Sequence, residues 1–403
     1  MGLTGIPENA EARALLKETI FAPIRTAADA ARRVVNQRET DTRVLFQANV
    51  EADNLYLIFA NEIRASFPLA GAGNWVIKRS LADGSFLQAK IFLGGEEERC
   101  VRIRPQGERS VLDLYMLGGA YQTGVNLPLS FEKVLTTSFA DLRRYTERVV
   151  DWDALLSTDR TGADARVERV AGTVRSLLSG LRDVDDGAPD EAGRPVFIAT
   201  GQPQGRGGGF NCSGFAKWIV DGFYKPLVGR GTGIEAMKER REDRGNRWTR
   251  PLERTRDPFF GLDWSRNLAL ALQAARIGAP DAPSADPADV DVRDVAGFEY
   301  EPNVGYAVAD LPRILFRLVQ DDPGSFYLGS INQTGGSPPL RTHFHLVALF
   351  PYRDADGRFR TAVMERNTET GLESLVSRFG NCYVHLVHLD TEGEFSPSLL
   401  PSR

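Results

Sequence analysis

Gly207-Gly208-Gly209-Phe210-Asn211-Cys212-Ser213-Gly214-Phe215-Ala216-Lys217-Trp218-Ile219-Val220 runs a glycine-rich loop into a helix whose apolar face includes Phe215, Ile219 and Phe223. Cys212 falls at or just before the first turn of that helix. Unpaired N–H groups and the positive end of the helix dipole favour thiolate over thiol there. Ser213 and Gly214 are small and leave room for a carbonyl to approach the sulfur. The alternative is a buried structural cysteine, but an inert thiol needs no open, glycine-rich approach. The other cysteines are Cys100 and Cys382, and an odd count of three leaves at least one thiol free and excludes a disulfide scaffold.

A thiolate nucleophile needs a base, and the chain holds only four histidines: His343, His345, His385 and His388. Thr342 to Phe350 reads as a strand, and period-two alternation puts His343 and His345 on one face, so either can meet the thiol. The favoured base is His345, because the apolar run follows it directly; His343 is the alternative. A turn at Asp354-Ala355-Asp356-Gly357 leads to a second strand, Phe359 to Met364, ending in Glu365-Arg366-Asn367. In a hairpin, Glu365 and Asn367 share a face near the start of the histidine strand, where an acceptor can hold the ring nitrogen remote from the sulfur. His385 and His388 sit in a late strand, three residues apart and so on opposite faces. They read as structural histidines, with no metal site expected.

Asn211-Cys212-Ser213-Gly214-Phe215 opening a helix resembles the Cys-Ser-Gly motif of NlpC-type cell-wall cysteine peptidases. His345-Leu346-Val347-Ala348 followed by Glu365-Arg366-Asn367 is similar to the His-Val-Ala and Glu-x-Asn elements of CHAP amidase domains. Both belong to one papain-like superfamily, and the resemblance covers pieces of residues 196–380 only. It implies Cys212 as nucleophile, His345 as general base and Asn367 or Glu365 as the orienting group, without a cofactor. It further implies hydrolysis of peptide bonds in bacterial cell-wall (murein) peptides by acyl transfer through a thioester. Export would then be expected, by a leader that the start Met1-Gly2-Leu3-Thr4 does not show, with a cytoplasmic location left open. Roughly 130 residues separate Cys212 from His345, far more than in a minimal domain of this kind. Two other readings stand beside the hydrolase: a catalytically silent papain-like binding module, and a thiol acyltransferase or deamidase.

The backbone N–H of Cys212 is the obvious oxyanion donor, with Gln202 or Gln204 as candidates for a second. Asp257 to Asn267, dense in aromatic and polar residues, either lines a cleft through Asp263 and Trp264 or simply turns into the helix Leu262 to Ala275. Lys238 to Arg256 holds eight Lys or Arg around Trp248; it reads as a solvated, self-paired segment, or else as an electrostatic lip for an anionic substrate.

Outward from this core, 403 residues predict two or three domains, and 42% hydrophobic composition excludes a disordered chain. A net charge of −5 argues against a protein that holds nucleic acid over its whole surface. No apolar run approaches the roughly 20 residues that span a bilayer. Short alternating runs from Arg43 to Leu117, separated by Gly, Asn and Asp, read as about six strands joined largely by hairpins. The expected fold is α+β: a helical arm over residues 1–40, a mainly antiparallel β domain over 41–130, and a helical connector over 131–190. An acidic linker at Asp183–Pro195 ends the connector, and a papain-like (NlpC/CHAP-like) α+β domain spans 191–403. One reading of the β domain is a module that targets the chain to wall polymer or to a partner, but its sequence offers no site for either; oligomeric state is not legible.

Overall fold

The hairpins anticipated after Arg43 close one onto the next. Helices α1 (Ala10–Leu15), α2 (Lys17–Phe21) and α3 (Ile24–Ala28) lead into β1 (Arg33–Gln37), β2 (Thr42–Glu51), β3 (Asn54–Asn61) and β4 (Trp75–Ser80). β5 (Phe86–Phe92), β6 (Cys100–Gln106), β7 (Arg109–Met116) and β8 (Gly119–Leu127) complete an eight-stranded antiparallel sheet whose strand order is the sequence order. The computed structural model describes residues 6–94, 98–241, 257–280, 286–337 and 339–399. Most of the basic segment, residues 242–256 with Trp248, lies outside the described residues.

Alternation makes the sheet two-faced: along β4, Trp75, Ile77 and Arg79 are buried while Val76, Lys78 and Ser80 are partly exposed. Two strands escaped the sequence reading. β1 lies inside the expected helical arm and is mostly exposed, so it carries no apolar alternation to mark it. β8 begins at Gly119, is interrupted by Gly124 and reads as loop, although Tyr121, Val125 and Leu127 are buried. Helices α4 (Phe131–Val134), α5 (Phe139–Thr146) and α6 (Trp152–Leu156) follow, each capped by a side chain: Ser130, Ser138 and Asp151. Fully buried Arg13 lies 3.6 Å over the Trp75 ring and donates to the carbonyls of Leu135 and Thr137, tying α1 to the start of this helical stretch.

The chain divides into two compact units, Met1–Ser157 and Thr158–Arg403. The second opens with α7 (Gly162–Leu177), started by a Thr161–Asp164 capping box. Next come β9 (Ala188–Pro189), β10 (Pro195–Val196), α8 (Cys212–Val228), α9 (Ile234–Met237) and α10 (Phe260–Arg276). β11 (Tyr306–Ala307), α11 (Leu311–Asp321), β12 (Ser325–Gly335), β13 (Leu340–Arg353), β14 (Phe359–Glu365), β15 (Thr368–Thr370), α12 (Leu372–Phe379) and β16 (Tyr383–Asp390) complete it. Its six-stranded sheet runs β11-β16-β12-β13-β14-β15, every pair antiparallel. Leu346, Ala348 and Phe350 of β13 pack with α7, α8 and α10, while Val347 and Leu349 pack on the opposite side with α11 and α12. Apolar residues on both faces explain why β13 reads as a continuous apolar run rather than an alternating one.

Two expected boundaries move. The helical connector over 131–190 is divided, α4–α6 belonging to the first unit and α7 to the second. The expected linker at Asp183–Pro195 is an integral strap of the second unit: Gly187, Ala188 and Pro189 are buried, and β9 pairs with β10. Asp183, Asp185 and Glu191 are exposed, while the backbone runs against Phe210 through a parallel bridge at Asp183.

Candidate active site

The start of α8 is built by close backbone approach. Asn211 caps the helix, its side-chain oxygen accepting from the Gly214 N–H at 2.9 Å, and its own N–H donates to the Gly187 carbonyl at 3.0 Å. A Cβ on Gly214 would lie 1.9 Å from the Gly187 oxygen, and one on Gly209 would lie 2.2 Å from the Arg182 oxygen. These glycines let the strap lie directly against the helix start. Cys212 is therefore the first residue of α8, with the N–H groups of Cys212 and Ser213 free of intrahelical acceptors.

Three of the singled-out residues come together. His345 Nε2–H donates to Glu365 Oε2 at 2.7 Å, and the ring's other nitrogen is left for the hydrogen bond between His345 and Cys212. β13 and β14 are paired only as far as Ala348 and Met364, and the Leu346 N–H, beyond the last pair, acts to lower the Cys212 thiol. Burial pushes the thiol up, but the bond to His345, the imidazolium charge, the Leu346 N–H and the Arg366 charge together bring it down to about 7. Burial would lower His345, yet Cys212 and Glu365 raise it to about 9. Against its own burial, Glu365 is drawn down to about 2 by His345, Arg378 and Thr370. The thiol is thus lowered and the imidazole raised, the two directions that favour a thiolate beside an imidazolium.

The structure separates residues that the sequence placed together. His343 and His345 do not share a face: the β12–β13 register shifts between Ile331 and Asn332, and the bulge takes up Phe344. His343 turns to the α10 side, where its Nδ1 accepts from Ser330 Oγ at 2.9 Å and its Nε2–H donates to the Asn303 carbonyl at 3.0 Å. With both ring nitrogens so engaged, it is not available as the alternative base. Phe344 and His345 both lie against the Phe379 ring of α12. Asn367 does not reach the imidazole: the β14–β15 hairpin turns at Arg366, which adopts a left-handed φ of 55°, and the Asn367 amide points to the Leu181 carbonyl at 3.5 Å.

Other candidates are structural. The Gln204 side chain bonds the carbonyls of Asp186, Val196 and Gly209 and accepts from the Gly209 N–H, so it clamps the strap and has no donor left for an oxyanion. Gln202 is exposed, its carbonyl accepting from the Phe197 N–H. Asp263 and Trp264 do not line a cleft. Both are buried in α10, where Trp264 Nε1 donates to the Ser213 carbonyl at 2.9 Å and locks α10 to the first turn of α8. Ser213 itself is buried. His388 takes Ser325 and Asp322, and His385 is enclosed with Asp291, Arg266 and Tyr300. Among the described residues no group of three or more His, Cys, Asp or Glu is placed to hold a metal ion.

Sequence reasoning missed Arg366, Thr370, Arg378 and Phe379. Arg366 pairs with Asp183 at 2.5 Å while its charge acts on Cys212. It stood inside the Glu365-Arg366-Asn367 motif, and only its place in a tight turn could have singled it out. Thr370 and Arg378 lie on separate elements and left no local signal.

Comparison with known proteins bears on the first unit. A family model described as a domain of unknown function (DUF8515) matches residues 3–154. The match ends within a few residues of the boundary between the compact units. No curated protein and no solved structure matches the chain. Among the described residues no helix is long and apolar enough to cross a membrane. The fold is α+β, an N-terminal antiparallel sheet followed by helices and a second sheet.

Proposed function

We propose that the second unit is a papain-like cysteine hydrolase that cleaves amide bonds through Cys212, His345 and Glu365. The observation that carries this reading is one alignment: a helix-start thiol that acts on the His345 ring, and a ring nitrogen of His345 bonded to a buried carboxylate at 2.7 Å. An inert cysteine has no use for that order of groups.

In this reading the Cys212 thiolate attacks the carbonyl carbon of the scissile amide, and the N–H groups of Cys212 and Ser213 receive the developing oxyanion. Collapse breaks the C–N bond as the His345 imidazolium gives its proton to the leaving amine. His345, now neutral, takes a proton from water as that water attacks the thioester. The C–S bond breaks and releases a carboxylic acid, the thiolate and the imidazolium being restored. Glu365 holds the ring and offsets its charge throughout.

Cell-wall peptide is the substrate class proposed, on the resemblance of the Cys212 and His345 motifs, and it requires export of the chain. A silent binding module would not require thiol and imidazole in contact, and this weighs against it. An acyltransferase or deamidase would share the three residues, and a digest separates it from a hydrolase. Purified murein peptides are incubated with the full chain and with Cys212→Ala, and new amines are followed by mass spectrometry. Cleavage by the wild type alone is expected. No cleavage, together with a Cys212 thiol that alkylates no faster than an ordinary thiol at neutral pH, would remove the chemistry.

A further inference from the structure

Glu365 has two carboxylate oxygens, and His345 uses one of them. Oε2 accepts from the ring, whereas Oε1 accepts from the Thr370 hydroxyl and from Arg378 Nη2. Thr370 ends β15, and Arg378 lies in the last turn of α12. Arg378 also stacks over Phe379, its guanidinium carbon 4.9 Å from the ring centroid, and the His345 ring lies 5.7 Å from that same ring. Two consecutive residues of α12 thus touch the carboxylate and the imidazole. The Glu365 side chain is 6% exposed, so without these donors Oε1 would be a nearly buried, unsatisfied anionic oxygen.

We propose that Arg378 and Thr370 are positioning residues for the Cys212–His345 pair: by occupying Oε1 they leave Oε2 as the oxygen that faces the ring, and so fix its orientation and the seat of its proton. The inference rests on Cys212, His345 and Glu365 being the reactive set, and is indifferent to which amide is cleaved. A carboxylate free to rotate would lengthen its bond to His345 Nε2, weaken the imidazolium and return the proton to sulfur. Other charges nearby are already committed: Arg366 to Asp183, and Glu369 beside Thr370 to Arg175. Arg378 and Thr370 are thus the described groups that meet Oε1.

The test reads the thiolate directly. The full chain, Arg378→Met, Arg378→Lys and Thr370→Val are alkylated with iodoacetamide between pH 5 and 10, and the rate at the Cys212 peptide is measured by mass spectrometry. Cys100 and Cys382, both raised by burial, serve as internal references. The inflection of Cys212 is expected to move up by about one pH unit in Arg378→Met and Thr370→Val, about a ten-fold slower reaction one unit below the wild-type inflection. Arg378→Lys, which keeps a charged donor, should restore most of it. An unmoved inflection in folded Arg378→Met and Thr370→Val overturns the inference. If Arg378→Met does not fold, Thr370→Val decides alone: a raised inflection supports the positioning role and an unmoved one overturns it. Failure of the hydrolase reading is distinct, since it leaves the displaced inflections in place while wild type digests nothing.

Discussion

Two buried clusters of the second unit use the same residue types to opposite ends. In one, His345 lies between Cys212 and Glu365, with Arg378 behind the carboxylate. In the other, His385 lies among Asp291, Arg266 and Tyr300, and Arg266 makes two bonds to the Asp291 carboxylate at 2.9 and 2.7 Å. In the second the His385 and Asp291 side chains are both 0% exposed, although Arg293, which bonds Asp291 at 2.8 Å, reaches solvent; burial outweighs the pull of Asp291 to hold His385 below its ordinary value. In the first, partners on both sides outweigh burial and raise His345, and both Arg366 and Arg378 reach solvent. A histidine beside a carboxylate and an arginine is therefore not a site in itself. What sets the first apart is a helix-start thiol beside the ring.

The sharpest way to break this contrast is to remove one member of each cluster. Cys212→Ala and His345→Ala should each lower peptide hydrolysis on the order of 10⁴-fold or more, read as kcat by mass spectrometry, without altering the thermal unfolding profile greatly. Arg266→Met should instead destabilise the chain by up to about 3 kcal/mol in urea unfolding, because it removes the bidentate partner of buried Asp291 and leaves it Arg293 and His385. Its kcat should stay within a few-fold wherever the variant is folded. Equal loss of activity in the Arg266 variant, at full folding, would erase the distinction between the clusters.

Glu365→Gln against Asn367→Ala sharpens the contrast within the site. The first should cost about 10²–10⁴-fold in kcat, because a neutral amide cannot offset the imidazolium, and the second only a few-fold. The reverse order would restore Asn367 as the orienting group. A pH profile follows from the same pair. The reactive ion pair forms as pH rises through the thiol value near 7 and is lost as pH rises through the imidazole value near 9. Hydrolysis should therefore be bell-shaped between them, and a single sigmoid through about 4 would contradict the assignment.

The smallest effect belongs to the His385 cluster. His385 is depressed in the folded chain, so on acidification through about 6.5 the unfolded chain takes the proton first and stability falls, by at most about 1.4 kcal/mol per pH unit. Urea midpoints of wild type and His385→Gln at pH 7.5 and 5.5 check this. The part lost on acidification should be smaller in the variant, and an equal loss would assign it to other groups.

Much of this was legible wherever the signal was local. The cysteine at the helix start, the strand of His345 and its turn at Asp354–Gly357 follow from neighbours a few residues apart, and the structure shows each. The six strands read between Arg43 and Leu117 all occur, because a half-buried strand writes its alternation into the chain. β1 and β8 did not register, since exposure and glycines left nothing to alternate. The strap at 183–195 reads as a linker because exposed Asp183, Asp185 and Glu191 dominate it, while the residues it buries, Gly187, Ala188 and Pro189, carry no apolar periodicity.

The amino-acid sequence by itself determined that Cys212 stands at a helix start and which two strands carry His345 and Glu365, since helix starts and hairpins are settled by short-range sterics and hydrogen bonding. Tertiary structure alone decided the rest. One extra residue at Phe344 sent His343 and His345 to different sides, and a tight turn at Arg366 selected Glu365 over Asn367. Thr370 and Arg378 reached Glu365 from elements that announce nothing about it. A register shift of one residue reverses which face a side chain occupies, and no local pattern in the chain encodes where that shift falls.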